Sequence, residues 1–485
     1  MVLTAGKWQG GLTMRTLIGR INEQNRLMKH FASDKSEFVA LFGRRRVGKT
    51  FLVKSLFDSE FIFYTSGIQG GDTARQIRNF NDEIVNFGGS ALTTAANWSE
   101  AFENVNRLIA TSPRKGKKVV FLDEISWIGS SSSSFVSALD HFWNRWVSSR
   151  DDVLLIVCGS ATSWIIDNIV NNPGGLHNRL TDQIQLEPFT LGECEGYFRE
   201  KGISMPRYQI LESYMIFGGI PYYLDFIESD RSLAQNVDRI YFAPDAPLKN
   251  EYDNLFRALF KNADSYIKVV EALAAKRKGL FRDEIAAAAR IKGGGTLTKV
   301  LADLVSCGFV REYLAFGKQK RDRVFQLTDP FALFHLTFAT KQKRYAGNFW
   351  LHFSTTPAHS AWSGYAFELA CLLHLPQIKQ SLGISGVLTE ASSWRSKAVT
   401  PGAQIDLVLD RSDNLIHLCE MKFSSTEYSI DKAYSAKLSQ KRNAFLAETG
   451  TRKAAHTTLV TTYGLKQNIF SAEVLFQITM NGLFG

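Results

Sequence analysis

Four short apolar runs recur through the first third of the chain: Phe38–Phe42, Phe61–Tyr64, Val119–Leu122 and Val153–Cys158. They are too short for helices. Their lack of polar alternation predicts strands covered on both faces, as in a parallel sheet. Between them, apolar positions repeat at helical spacing, for instance over Thr50–Phe57, Trp98–Ile109 and Phe135–Val147. Strand alternating with helix predicts an α/β fold.

Past about Gln185 the strand pattern stops. Leu191–Lys201 and Tyr208–Phe217 predict helices, and Gly218-Gly219-Ile220-Pro221 breaks the pattern. A third pattern follows: helices over Tyr266–Ala275, Arg282–Ala289 and Thr296–Ser306, then strands over Phe309–Phe316 and Arg323–Leu327 around a basic turn. The last segment opens with a helix at Trp362–Leu373 and returns to strands at Ile405–Leu409, Leu415–Phe423 and Thr457–Thr461. These shifts predict four units, at 1–185, 186–254, 255–340 and 341–485. No internal repeat is found, and Ser130–Ser134 is the one low-complexity stretch.

Composition changes this picture little. A chain of 485 residues with 45% hydrophobic and 21% charged residues is ordinary globular material, too long for one core. The net charge of +10 favours an anionic partner such as nucleic acid, with a merely soluble basic protein as the alternative. Five scattered cysteines without a C-x-x-C pair argue against a disulfide framework and a zinc site. Met1–Gly11 lacks the apolar core of a secretory signal, and no stretch is long enough to span a membrane, so a cytoplasmic protein is expected.

The strongest chemical signal follows the first apolar run. Gly43-Arg44-Arg45-Arg46-Val47-Gly48-Lys49-Thr50 fits G-x-x-x-x-G-K-[ST], with a strand before it and a helix starting at Phe51 behind it. Glycines let backbone N–H groups turn toward phosphate oxygens, and the helix N-terminus adds positive potential. Lys49 is expected to neutralise the β/γ-phosphates and the Thr50 hydroxyl to hold Mg²⁺. Asp123 and Glu124 end another apolar run, which puts both carboxylates at the sheet edge where a nucleotide would lie. Asp123 is the expected Mg²⁺ anchor and Glu124 the base that polarises water; a helix cap is the alternative for this acid pair. Ser160, after the fourth run, is a candidate sensor of phosphate state or simply a strand-end serine.

This order of motifs resembles the AAA+/STAND ATPases, and among them the archaeal-type ATPase family. Leu17-Ile18-Gly19-Arg20-Ile21-Asn22-Glu23-Gln24 occupies the place of that family's F-x-G-R-E-x-E-L box, with Ile21 where the family usually has Glu. Gly218-Gly219-Ile220-Pro221-Tyr222-Tyr223 matches its lid segment G-G-x-P-x-Y, which by resemblance brings Pro221 to the nucleotide. The resemblance implies a P-loop AAA+ domain at 1–185, a helical lid at 186–254, and ATP and Mg²⁺ as cofactors. It also makes Arg179 a candidate arginine finger toward a neighbouring copy, with a surface ion pair as the alternative.

The 255–340 pattern resembles a winged helix-turn-helix, with Lys318, Lys320, Arg321 and Arg323 on its hairpin. Those cations would suit DNA phosphates. The second helix, Thr296–Ser306, is mostly apolar, so packing on the chain's own nucleotide domain stands as the alternative. In the last unit, antiparallel pairing can set Asp406 opposite Glu420, with Lys422 on the same face. Two carboxylates and an ammonium at a sheet edge are parts for Mg²⁺-assisted phosphodiester hydrolysis. Asp406…Glu420-Met421-Lys422 resembles the PD-(D/E)XK nuclease core, which implies Glu368 as a further metal ligand beside Asp406 and Glu420. A surface hairpin with a Glu–Lys ion pair is the alternative.

The expected whole is an α/β ATPase with lid, winged helix and nuclease-like domain, acting on DNA under ATP control. A nucleotide-dependent switch that cuts nothing is the second expectation. Homo-oligomers are left open, and no membrane partner is expected.

Overall fold

A computed structural model of the chain describes residues 17–90, 94–129, 133–171, 176, 178–318, 323–338, 348–396 and 402–485. Met1–Gly11, His177, Lys320, Arg321 and part of Ser130–Ser134 lie outside the described residues.

The first four apolar runs are strands β1 (Glu37–Gly43), β2 (Phe61–Ser66), β3 (Lys118–Asp123) and β4 (Val153–Gly159). With β5 (Asp182–Leu186) they form a parallel sheet ordered β2-β3-β4-β1-β5. All residues of β1, β3 and β4 are buried. Val39 and Leu41 join the apolar layer on one face while Phe38 and Ala40 join that on the other. Two covered faces explain why these strands read as unbroken apolar runs. Sequence patterning misses β5 because it is an edge strand with alternating exposure and polar residues at Asp182, Gln183 and Gln185. Asn97 caps the helix Trp98–Thr111, its side chain accepting from the Glu100 N–H at 3.0 Å.

The two helices expected after Gln185 are Leu191–Glu200 and Arg207–Phe217. The first opens with a capping box of Thr190 and Glu193. Gly218 and Gly219 follow the second, both at positive φ, and a Cβ on Gly219 would lie 2.2 Å from the Phe189 carbonyl oxygen. Glycine is required there.

Further along, helices Ala263–Ala275, Arg282–Ala289 and Gly295–Ser306 pack with a small antiparallel sheet of β6 (Leu280–Phe281), β7 (Val310–Leu314) and β8 (Arg323–Leu327), ordered β6-β8-β7. Leu297, Val300, Leu301 and Leu304 of the third helix are buried, and this helix packs on Thr162–Ile165 of the first domain. Apolar contact with the chain's own α/β layer is why that helix carries so little charge.

The last sheet comprises β9 (Thr389–Arg395), β10 (Gln404–Arg411), β11 (Leu415–Lys422), β12 (Ala454–Thr461) and β13 (Phe476–Thr479), ordered β13-β12-β11-β10-β9. The pairs β9/β10 and β10/β11 are antiparallel, and β11/β12 and β12/β13 are parallel. The helix Pro357–Leu373 packs on β11 and Lys432–Thr449 on β12. Strands β9 and β13 escape the sequence pattern, one because it is polar and the other because it has four residues. Several contacts bind this region to its neighbours. Past the end of β7, the Phe316 N–H donates to the Ser393 carbonyl of β9 at 2.7 Å, and the Phe316 ring meets Phe445. The Leu191 N–H donates to His374 Nε2 at 2.9 Å, joining the lid to the C-terminal helix. Among the described residues, no helix is long and apolar enough to cross a membrane.

Candidate functional site

The phosphate loop joins the C-terminal end of β1 to the helix Lys49–Phe57. Its shape depends on left-handed residues: Gly43, Arg46 and Gly48 have φ of 144°, 70° and 93°. A Cβ on Gly43 would lie 2.3 Å from the Leu186 carbonyl oxygen, whereas Gly48 has open space around it and is needed for its backbone angle alone. Lys49 is buried, and its ammonium donates to the carbonyls of Gly43 and Arg44 at 3.0 and 2.8 Å.

Parallel pairing brings the ends of β3 and β4 beside this loop. The Thr50 hydroxyl donates to Asp123 Oδ2 at 2.7 Å. Glu124 sits in left-handed backbone, φ 45°, and its carboxylate accepts from the Ser160 N–H and hydroxyl at 3.1 and 2.9 Å. Burial raises the Glu124 pKa and neighbouring Asp123 adds to this, while Lys49 and the Ser160 hydrogen bonds oppose it. A non-glycine residue held in this conformation by paired hydrogen bonds marks a position fixed by its surroundings. Ser160 therefore serves as the clamp on Glu124.

A cavity of about 710 Å³ opens from Lys49, Thr50 and Glu124 toward the lid. Val47, Gly48, Phe51 and Pro221 also line it. Further from the loop it is lined by Leu17, Ile18, Phe189, Tyr197 and Tyr222 together with the charged Glu200, Lys201 and Asp225. Phe189 and Tyr197 are residues that sequence reasoning missed; the signal was the Gly218-Gly219 turn, since the Phe189 N–H donates to the Gly219 carbonyl at 2.7 Å. Arg20 is buried over the Phe189 ring and donates to the Val47 carbonyl at 3.3 Å, while its backbone N–H meets Glu193 Oε1 at 2.8 Å. Ile21 is exposed.

Comparison with known proteins bears on this arrangement. Residues 17–227 match the family model described as an ATPase domain predominantly from Archaea. Over this span the chain has the fold of a P-loop ATPase domain. The chain is 24% identical over 260 residues to the uncharacterized protein MJECL04 of Methanocaldococcus jannaschii, covering 53% of this chain and 54% of that protein. It thus spans about half the length of this curated relative. Among solved structures it is similar in fold to the Walker-type ATPase PABY2304 of Pyrococcus abyssi, with TM-score 0.51 and 16% identity over 66% of this chain and 96% of that one. The ORC2 protein of Aeropyrum pernix, solved as ADPNP-ADP complexes, matches with TM-score 0.41 and 13% identity over 67% of this chain and 95% of that one.

The side chains of the three arginines in the phosphate loop have different surroundings. Arg44 is buried, ion-paired with Asp329 beyond β8 and stacked 4.6 Å from the Phe309 ring. Arg46 pairs with buried Glu251 at 2.7 Å, lies over the Tyr222 ring and lines the cavity. Arg45 lines a separate cleft with Gln69 and Arg257. Only the backbones of Arg44 and Arg45 therefore remain candidates for phosphate contact. Arg179 is exposed, and its side chain has no hydrogen bond or ion pair among the described residues.

A second group of candidates lies in the C-terminal sheet. The register of β10 and β11, Leu407 with Cys419, brings Asp406 beside Glu420. Glu420 is buried; Lys441 forms an ion pair with it, and the Tyr434 hydroxyl donates to it at 3.2 Å. The Lys422 ammonium lies 5.0 Å from the centre of the Tyr434 ring. Glu368, on the helix Pro357–Leu373, has its pKa raised to about 7, first by burial and then by Asp406, with Glu420 adding and Lys422 and Lys278 opposing. Glu368, Asp406, Glu420 and Lys422 thus share one electrostatic neighbourhood. Among the described residues, however, no three His, Cys, Asp or Glu side chains are gathered into a metal-binding group. Glu420 is engaged by Lys441 and Tyr434, two residues sequence reasoning did not assign.

Proposed function

We propose that the chain binds and hydrolyses ATP at Lys49, Thr50, Asp123 and Glu124, and that this cycle governs a Mg²⁺-dependent nuclease-like site acting on DNA. The carrying observation is the direct hydrogen bond from Thr50 to Asp123 beside a buried loop lysine, in a segment that matches an ATPase-domain model. Thr50 and Asp123 offer hard oxygen donors, the set that suits Mg²⁺. The ion, when bound, would supply charge for the β/γ-phosphate oxygens. Lys49 offers its ammonium to the same oxygens, and the loop amides complete the cradle. Glu124, with its raised pKa and fixed by Ser160, accepts a proton from the attacking water. Arg179, exposed on the domain, would serve a neighbouring copy if the protein assembles. Lys49→Ala should abolish phosphate release, and undiminished release would refute the site.

The 255–338 region fits a winged helix by its order of helices and its three-stranded antiparallel sheet. The nuclease-like reading rests on Asp406 and Glu420 on adjoining strands, with Lys422 and Glu368 in the same field. Labelled DNA incubated with ATP and Mg²⁺ or Mn²⁺ should be cut, and Glu420→Ala or Lys422→Ala should stop cutting. Cutting unchanged by either variant would reject this domain as its source.

A second reading, a nucleotide-dependent switch that cuts nothing, is favoured by the Arg44–Asp329 and Arg46–Glu251 ion pairs. They tie the phosphate loop to segments beyond the ATPase domain. Absence of cleavage together with ATP-dependent protection from proteolysis would select it.

A further inference from the structure

Between the 255–338 region and the C-terminal sheet lies a cavity of about 310 Å³. One wall carries Arg277, Lys278 and Arg311; the other carries Glu368 and Asp406. The segment following β7 is hydrogen-bonded to β9, and the Arg277 carbonyl accepts from Tyr365 Oη at 2.7 Å and from Gln326 Nε2 at 2.8 Å.

Arg311 has an unusual set of partners. Its Nε and Nη2 both donate to Gln326 Oε1, at 2.9 and 2.6 Å, and its guanidinium lies over the Tyr313 ring. No carboxylate forms an ion pair with it among the described residues, and burial lowers its pKa. A guanidinium has five N–H donors, so part of its capacity is unused by Gln326. A withdrawn cation normally acquires an anionic partner, because leaving it with neutral ones is costly. Across the cavity Glu368 has no hydrogen-bonding partner among the described residues, and Asp406 receives only Gln404 Nε2, at 2.6 Å. The cations of one wall feel the carboxylates of the other, Asp406 acting on Arg311 and Lys278 on Glu368, but make no ion pair with them among the described residues, which leaves guanidinium and ammonium donors for an anionic ligand between the walls.

We propose that this cavity holds a backbone phosphate of a DNA strand, with Arg311, Lys278 and Arg277 gripping its oxygens opposite Glu368 and Asp406. The proposal rests on the nuclease-like reading of the C-terminal domain and adds to it a phosphate wall supplied by another region of the chain. The strand then passes between the two, and the site is complete only when both are docked. Planar guanidinium groups suit phosphate oxygens, and Lys278 adds a point charge.

Binding of a short fluorescein-labelled DNA single strand to the full chain, by anisotropy in EDTA, tests this. Arg311→Gln and Lys278→Ala should each weaken binding about tenfold and lower the salt dependence by about one released ion. Lys318→Ala, on the hairpin, should do less. Lys278 is exposed, so its variant keeps the test open if Arg311→Gln melts early. Wild-type affinity in both variants, or no strand binding by the wild type, overturns the proposal. Tight binding of inorganic phosphate that displaces no strand also overturns it, by assigning the cavity to a free anion. Cleavage in Mg²⁺, run in parallel with Glu420→Ala, separates the two readings. Weakened binding with no cleavage by any protein leaves the phosphate wall standing and removes the nuclease. Glu420-dependent cleavage with unaltered strand binding does the reverse.

Discussion

The chain carries two acidic strand-end sites, and they are assembled differently. At the phosphate loop the parts bond to one another: Thr50 to Asp123, Ser160 to Glu124, and Lys49 to its own loop. In the C-terminal domain the parts come from the helix bearing Glu368, two strands and a later helix bearing Lys441. There Glu420 bonds outward to Lys441 and Tyr434 and not to Asp406. The first arrangement is held in its working geometry by its own contacts. The second has its charges in one field but depends on neighbouring elements, and in part on another region of the chain, to bring them into use. Local self-consistency is what makes a site hard to perturb from a distance.

Predictions that test this contrast can be ranked. The largest effect is expected from Lys49→Ala, which should cut ATP turnover at least about a hundredfold, as phosphate release would show. C-terminal changes such as Glu420→Ala should move that rate by less than about twofold, since the two domains' side chains are separate. A comparable loss from Glu420→Ala would break the contrast. Next comes the buried Arg44–Asp329 pair. Asp329→Ala leaves the guanidinium uncompensated and should cost about 3–5 kcal/mol in denaturant unfolding, much of it restored in Arg44→Met/Asp329→Leu. No loss would mean that the phosphate loop is not braced by this contact.

Smaller still is a pH effect. His374 accepts from the Leu191 N–H while its Nδ1 is 2.7 Å from the Ala370 carbonyl, and burial lowers its pKa to about 4 from a usual 6.5. The unfolded chain therefore binds the proton more readily. Stability from this contact is complete above pH 6.5 and is lost as pH falls toward 4. Lowering the pH from 7 to 5 should reduce the melting temperature less in His374→Gln than in wild type; equal slopes would exclude His374. The smallest change is Thr190→Ala, which removes one lid-helix cap and should cost about 1 kcal/mol in the same unfolding measurement.

The same contrast explains what the sequence revealed. The phosphate loop is eight consecutive residues after a fully buried strand, so motif and flanking pattern agree, and Lys49, Thr50, Asp123 and Glu124 were all legible. The aromatic lining of the cavity was not: Phe189 and Tyr197 are ordinary aromatics until the Gly218-Gly219 turn brings them in. The ion pair of Arg44 in that loop was not legible either, because its partner Asp329 is 285 positions away and invisible to local pattern. Strand pairing predicted the neighbourhood of Asp406 and Glu420, since register follows from a short turn. Lys441 and Tyr434 were missed because their approach to Glu420 depends on how a later helix docks. Polar or short edge strands, β5, β9 and β13, were missed for lack of an apolar run.

The central claim is that Glu124, clamped by Ser160, is the base that turns a bound nucleotide over. Binding of ATP and release of phosphate, measured on the same preparations of wild type and Glu124→Gln, test it most directly. The account predicts near-unchanged affinity with turnover lowered about a hundredfold or more. Full turnover in Glu124→Gln would contradict it.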